Sequence, residues 1–231
     1  QTIRLGGLLF ETADTDELNY RLELRDAMLR SVGSSRFAIY HHVVRRRAEA
    51  LLEAEFPDEF SRKLDARWRE RLAIREMYVN ELFLTIVRRP MQGRVGMLDR
   101  LRDFAGHAGA DKKAAQASDI RALTAASEAL VAALGNYRPR LLSVYTTDHG
   151  VRSEPLEFLS HLYNGQMRPV ALPYGDAGAH IPFRRVSFGD DAFELAQAGD
   201  IARSFGAIIT IKDYPAQTLP GMFDELYRMP F

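Results

Sequence analysis

The chain has 231 residues, in which 31 Lys+Arg balance 31 Asp+Glu and 46% are apolar. A chain this long buries roughly 70% of its unfolded surface, and the composition excludes disordered, collagenous and low-complexity classes. The lack of cysteine excludes a disulfide scaffold, a thiol nucleophile and a zinc site built on thiolates.

In chain order, Ile3, Leu5 and Leu9 predict a buried strand over residues 2–10, so the opening reads as a strand and not as a signal peptide. Asp14 and Glu17 have capping-box spacing. Leu18, Leu22, Met28, Leu29 and Val32 then stripe a helix that Gly33 ends. Residues 37–44 form the next strand, closed by Arg45-Arg46-Arg47. Residues 48–75 are mostly helical, with a break near Pro57. Phe60, Leu64, Trp68 and Leu72 line one side of that helix, and Glu59–Lys63 and Asp65–Arg69 are acid-first pairs four apart. Residues 78–87 are apolar on both faces, which predicts a central strand ended by Pro90.

Val95, Leu98, Leu101 and Phe104 suggest a short helix, and residues 106–113 read as a flexible loop. Ser118 caps a long helix with Leu123, Leu130 and Leu134 inward. A strand over 141–147 and a helix over 153–163, with Pro155 in its first turn, follow. Residues 182–188 and 192–196 predict a hairpin turning on Gly189-Asp190-Asp191. Residues 205–213 are a β-branched strand, and residues 219–229 a closing helix capped by Thr218. The pattern predicts an α+β or α/β fold: a mixed sheet with helices packed on it and a C-terminal hairpin–strand–helix unit. The expected division is into halves 1–105 and 118–231.

No run approaches the ~18 apolar residues of a membrane helix, the longest being residues 129–134. The cations are 27 Arg and only 4 Lys. GC-rich coding explains this bias; phosphate recognition by the guanidinium fork is the sharper alternative. Arg45-Arg46-Arg47, Arg88-Arg89 and Arg184-Arg185 each adjoin a strand, and clustered together they would make a basic interaction patch. Balanced charge argues against a dedicated nucleic-acid binder, whose domain pI usually exceeds ~9. There is no GxxxxGK[ST] loop and no GxGxxG. Asp190 and Asp191 could hold Mg²⁺ if further ligands joined them, yet Gly-Asp is also what a tight turn wants. His41 and His42 point to opposite faces of a strand and cannot share a metal. Glu157 and His161, four apart on a helix, are a weaker metal pair. His149 with Ser143 or Ser187 lacks any spacing that would fix a triad.

Two stretches carry a resemblance. One is Phe183-Arg184-Arg185-Val186-Ser187-Phe188-Gly189-Asp190-Asp191-Ala192-Phe193-Glu194-Leu195. The other is Phe205-Gly206-Ala207-Ile208-Ile209-Thr210-Ile211-Lys212-Asp213-Tyr214-Pro215, continuing over residues 218–226. With residues 37–47 and 81–87, they resemble the N-terminal region of the CagE/TrbE/VirB family, the ATPases of type IV secretion systems. The resemblance implies a hexamerising protein on the cytoplasmic face of the bacterial inner membrane. It implies ATP and Mg²⁺ in a C-terminal RecA-like domain that powers conjugation, pilus biogenesis and substrate transfer. The chain opens on Gln1 and ends on Phe231, and is expected to be a fragment that stops before that domain. No catalytic, cofactor or metal residue is therefore expected in it. Its expected work is docking to small inner-membrane subunits, other channel proteins and neighbouring protomers. The alternatives are an Arg-rich nucleic-acid module and a metal-dependent enzyme using Asp190 and Asp191.

Overall fold

A computed structural model describes residues 1–7, 13–33, 36–48, 55–74, 77–89, 108–197, 199, 203–213, 216–217 and 222. The chain divides into two compact units, Gln1–Leu141 and Leu142–Phe231.

The first unit is built on strands β1 (Thr2–Leu5), β2 (Phe37–Ala48), β3 (Met77–Arg88) and β4 (Arg140–Leu141), in the order β2-β3-β1-β4. Every pair is antiparallel. Helix α1 (Thr15–Val32) starts where Asp14 accepts the Glu17 N–H at 2.8 Å, and Gly33 caps its end. Helix α2 (Glu59–Ala73) lies in the connection between β2 and β3, and Asp58 accepts the Ser61 N–H at 2.7 Å. Helix α3 spans Ala108–Ala133. The core joins Ile3, Leu84 and Ile86 of the sheet to Met28 and Val32 of α1, with Leu130 and Leu134 from α3 and its end. Each such side chain contributes about 1.5–3 kcal/mol. Leu18, Leu22 and Leu29, expected inward on α1, stay partly exposed.

Three sequence expectations change here. Strand β2 does not close at Val44 but runs through the arginines to Ala48, because β3 offers a partner at every step, from Phe37↔Arg88 to Ala48↔Met77. Helix α3 starts at Ala108, ten residues before Ser118, since the Ala-rich stretch propagates helix through Gly109. It packs against α1 and β3, so the chain divides at Leu141–Leu142 and not in the 106–117 loop.

In the second unit, β5 (Val144–Thr147) and β6 (Gly150–Ser153) form a hairpin followed by helix α4 (Glu154–Asn164). The single strand expected over 141–147 is thus two, one in each unit. β7 (Arg185–Phe188), β8 (Phe193–Ala196) and β9 (Ser204–Gly206) form an antiparallel sheet. β9 stops at Gly206 because its partner has run out: Gly206 faces Phe193, the first residue of β8 after the hairpin loop. Ile208 and Ile209 beyond it are exposed. Residues 8–10, the helix around 95–104 and, apart from residue 222, the closing helix over 219–229 lie outside the described residues. All described ladders are antiparallel, so the fold is α+β.

Asn164, fully buried, organises this unit. Its Nδ2 donates to the Ser160 carbonyl (2.7 Å), Ser160 Oγ (3.0 Å) and the Ile181 carbonyl (2.9 Å). Its Oδ1 accepts the N–H groups of Phe183 (3.0 Å) and Arg184 (2.9 Å). One buried amide therefore ties the chain entering β7 to the end of α4, where Gly165 at φ 67° turns it out of the helix.

Candidate functional site

The two arginine runs of the first unit are not brought together. Arg46 stands nine positions along β2 from Phe37, the partner of Arg88, which is roughly 30 Å at about 3.3 Å per residue. Arg184 and Arg185 belong to the second unit. Several of these side chains are already engaged. Arg45 stacks 4.5 Å over the Tyr78 ring, and Arg46 reaches Glu81 at 3.4 Å. Arg88 Nε donates to Asp119 at 2.9 Å and Nη1 to the Arg36 carbonyl at 3.1 Å, with the Arg89 N–H on that carbonyl too. Arg184 bonds the Asn164 carbonyl and Ser204 Oγ, both at 3.3 Å. Arg185 is exposed on β7.

The fold assembles a different cluster. Strand register sets Arg4 of β1 directly opposite Arg140 of β4. These two, with Arg138, Glu81, Asn80, Leu5 and Gly6, line one open cleft of about 350 Å³. Arg4 Nη2 donates to Glu81 at 2.8 Å. Arg138 is the only described non-glycine residue at positive φ, 49°. It can pack there because Gly6 lacks a Cβ, which would lie 3.2 Å from that of Arg138. No sequence signal marks this set, since its members come from residues 4, 80–81 and 138–140.

A second surface feature is apolar. β1 pairs with β3 only over residues 82–85, so Met77–Glu81 and their partners Val44–Ala48 continue as a two-stranded ribbon. α2 lies in the connection beyond it. No described residue of α2 is buried: Phe60, Leu64 and Trp68 are 76%, 59% and 56% exposed. Four-residue spacing puts them on one face. At about 100° per residue, Arg67 borders that stripe, Arg71 continues it at the C-terminal end, and Glu59 and Glu70 lie on the far side. A free helix of 15 residues is marginal in water. Local devices support this one: the Asp58 cap and the ion pairs Lys63–Glu59 (2.8 Å) and Arg69–Asp65 (2.6 Å).

The remaining candidates are dispersed. Asp190 and Asp191 are exposed in the β7–β8 loop, closed by the Gly189 N–H on the Ala192 carbonyl at 2.8 Å. Among the described residues, no three His, Asp or Glu groups lie close enough to hold a metal. Glu157 accepts Tyr145 OH at 2.7 Å and the Val170 N–H at 3.2 Å, a structural role that also holds the tyrosine hydroxyl above its usual range. His149 sits in the β5–β6 turn, and Ser143 pairs with Glu154. His41 and His42 are both held below the usual imidazole range, first by burial, then by Arg25 and His41 respectively. No helix among the described residues is long and apolar enough to cross a membrane.

Comparison with known proteins accounts for both units. Residues 1–95 match the N-terminal domain of the type IV secretion system ATPase VirB4/TrbE. Residues 140–231 match the CagE, TrbE, VirB family, a component of the type IV transporter system. The chain is 32% identical over 228 residues to the type IV secretion system protein virB4 of Bartonella quintana (97% of this chain, 28% of that protein). It is 28% identical over 233 residues to PtlC of Bordetella pertussis (98% and 27%). It is 29% identical over 233 residues to virB4 of Brucella suis (98% and 28%). The chain thus spans little more than a quarter of these relatives. With both models and nearly its whole length in register with them, the chain belongs to the CagE/TrbE/VirB family of type IV secretion proteins and represents the VirB4/TrbE N-terminal region.

Proposed function

We propose that this chain is the docking and assembly region of a type IV secretion ATPase that energises substrate transfer, conjugation and pilus biogenesis. It binds partner subunits and does not hydrolyse ATP. ATP and Mg²⁺ belong to a motor region outside these 231 residues, none of which form a GxxxxGK[ST] loop. The partners are other secretion subunits, among them small inner-membrane proteins, and further copies of the full-length protein. The site of work is the cytoplasmic face of the inner membrane.

The observation that carries this reading is the exposed stripe Phe60–Leu64–Trp68 on α2. Truncating large apolar and aromatic anchors is what costs most at protein interfaces. An amphipathic helix laid into a partner's groove would read such anchors at four-residue spacing. The wide spacing of Arg46 and Arg88 along one ladder favours this reading over the nucleic-acid alternative, which needs a continuous basic track.

Co-expression with the small inner-membrane subunits of the same system tests the reading. The intact chain should co-purify with one of them, and Leu64→Glu should abolish this while leaving the circular dichroism spectrum unchanged. Co-purification that Leu64→Glu does not affect would remove α2 from the interface. Mg²⁺-dependent ATP hydrolysis by the isolated chain would overturn the reading altogether.

A further inference from the structure

We propose that residues 205–213 form an inner strand of the full-length protein, to which the segment following residue 231 adds as a parallel neighbour. Ala207-Ile208-Ile209-Thr210-Ile211 is a run of apolar and β-branched residues. That is the composition of a strand covered on both faces, as in a parallel sheet. Yet every residue from Ala207 to Asp213 is exposed, Ile208 and Ile209 at 79% and 76%. Successive side chains of an extended segment point to opposite faces, so both faces of this one are bare. Among the described residues no strand pairs with it, because β8 meets β9 only as far as Phe193↔Gly206. An open apolar edge invites pairing unless charge blunts it, and the charges here, Lys212 and Asp213, stand only at the far end.

Chain length and order select the occupant. Residues 1–95 match an N-terminal domain, and the chain spans 28% of virB4 of Bartonella quintana. The greater part of such a protein therefore follows the second unit. Parallel neighbours need a crossover of a dozen or more residues, usually a helix. Residues 214–231 supply that length, with a helix expected over 219–229. A right-handed crossover of this kind returns the chain beside the strand it left and lays the helix over one face of the pair. The proposal rests on family membership and not on the docking role of α2.

Hydrogen exchange on the full-length protein, without any other subunit, tests this against the 231-residue chain. The amides of residues 208–212 should exchange about a hundredfold more slowly in the full-length protein, as ladder formation protects them. Ile209→Pro removes a ladder donor and should return its neighbours to the rate seen in the 231-residue chain, whose own thermal unfolding it leaves unchanged. Cysteine pairs read the direction. When Ser204→Cys is exchanged for Thr210→Cys in the full-length protein, the position it crosslinks in a cysteine scan beyond residue 231 should move later in the chain by about six residues, since parallel register rises together. Movement to earlier positions would overturn the parallel assignment. Equal exchange in the two proteins would overturn the proposal. Protection already present in the 231-residue chain and rising with its concentration would do so too, by assigning the edge to a second copy. Protection that appears only when another secretion subunit is added would overturn it by assigning the edge to that subunit. None of these outcomes involves α2, so the docking reading stands or falls apart from them.

Discussion

Replacing Asn164 with alanine removes five hydrogen bonds at a residue with no solvent exposure. The acceptors on Ser160 and Ile181 lose least, because Ser160 Oγ still donates to the Ile181 carbonyl at 2.8 Å. The N–H groups of Phe183 and Arg184 lose their acceptor outright. Each orphaned donor costs about 1–3 kcal/mol, and both sit at half-buried residues where water can partly replace Oδ1. A loss of about 2–4 kcal/mol follows, which in a unit of about 90 residues lowers its Tm by roughly 10–20 °C. Calorimetry should show this in the transition of the second unit, and hydrogen exchange should show the amides of residues 183 and 184 losing protection. Asn164→Asp keeps the acceptor but not the donors and buries a charge, so it should be worse at neutral pH than in acid. A shift below about 0.5 kcal/mol for Asn164→Ala, the range of ordinary surface changes, with both amides still protected, would refute the role given to this residue.

Other perturbations have equally definite outcomes. A Cβ at Gly206 would lie 2.4 Å from the Phe193 ring, so Gly206→Ala should cost about 1–3 kcal/mol as overpacking, read by urea unfolding. Asp14→Ala removes the N-cap of α1 and should cost about 1 kcal/mol, measured the same way. The lowered pKa of His41 means that the unfolded chain binds its proton more readily. His41 therefore contributes stability above its usual value of 6.5 that is lost as pH falls through its folded value. Between about pH 8 and pH 5.5, the Tm of the first unit should fall, and His41→Gln should flatten the fall.

What local chemistry determines was legible in the sequence. The cap at Asp14, the stop at Gly33, both acid-first pairs on α2 and the β7–β8 hairpin all stand where spacing predicts, because each depends on residues within four or five of one another. What depends on partners distant in sequence was not. Whether Arg45–Arg47 end a strand or continue it depends on β3, more than thirty residues away. The spacing of two arginine runs was hidden for the same reason: antiparallel register sends Arg46 and Arg88 to opposite ends of one ladder. It gathers Arg4, Arg138 and Arg140, which no run or doublet advertises. Asn164 reads in the sequence as an ordinary polar helix end. Its five partners come from Ser160 and from residues 181–184, and only the fold brings them together. The stripe on α2 was visible as a periodic pattern, but periodicity alone implies burial. That Phe60, Leu64 and Trp68 remain exposed is a fact of the structure.

Trp68 is the single tryptophan of the chain, so its emission reports on the α2 stripe alone. The decisive measurement is that emission as a detergent-solubilised inner-membrane subunit of the same secretion system is titrated in. Docking through α2 predicts a saturable blue shift, as a ring now 56% exposed leaves water, and its loss in Leu64→Glu. A complex that forms with Trp68 still emitting as a solvated ring would contradict the assignment of this helix as the docking surface.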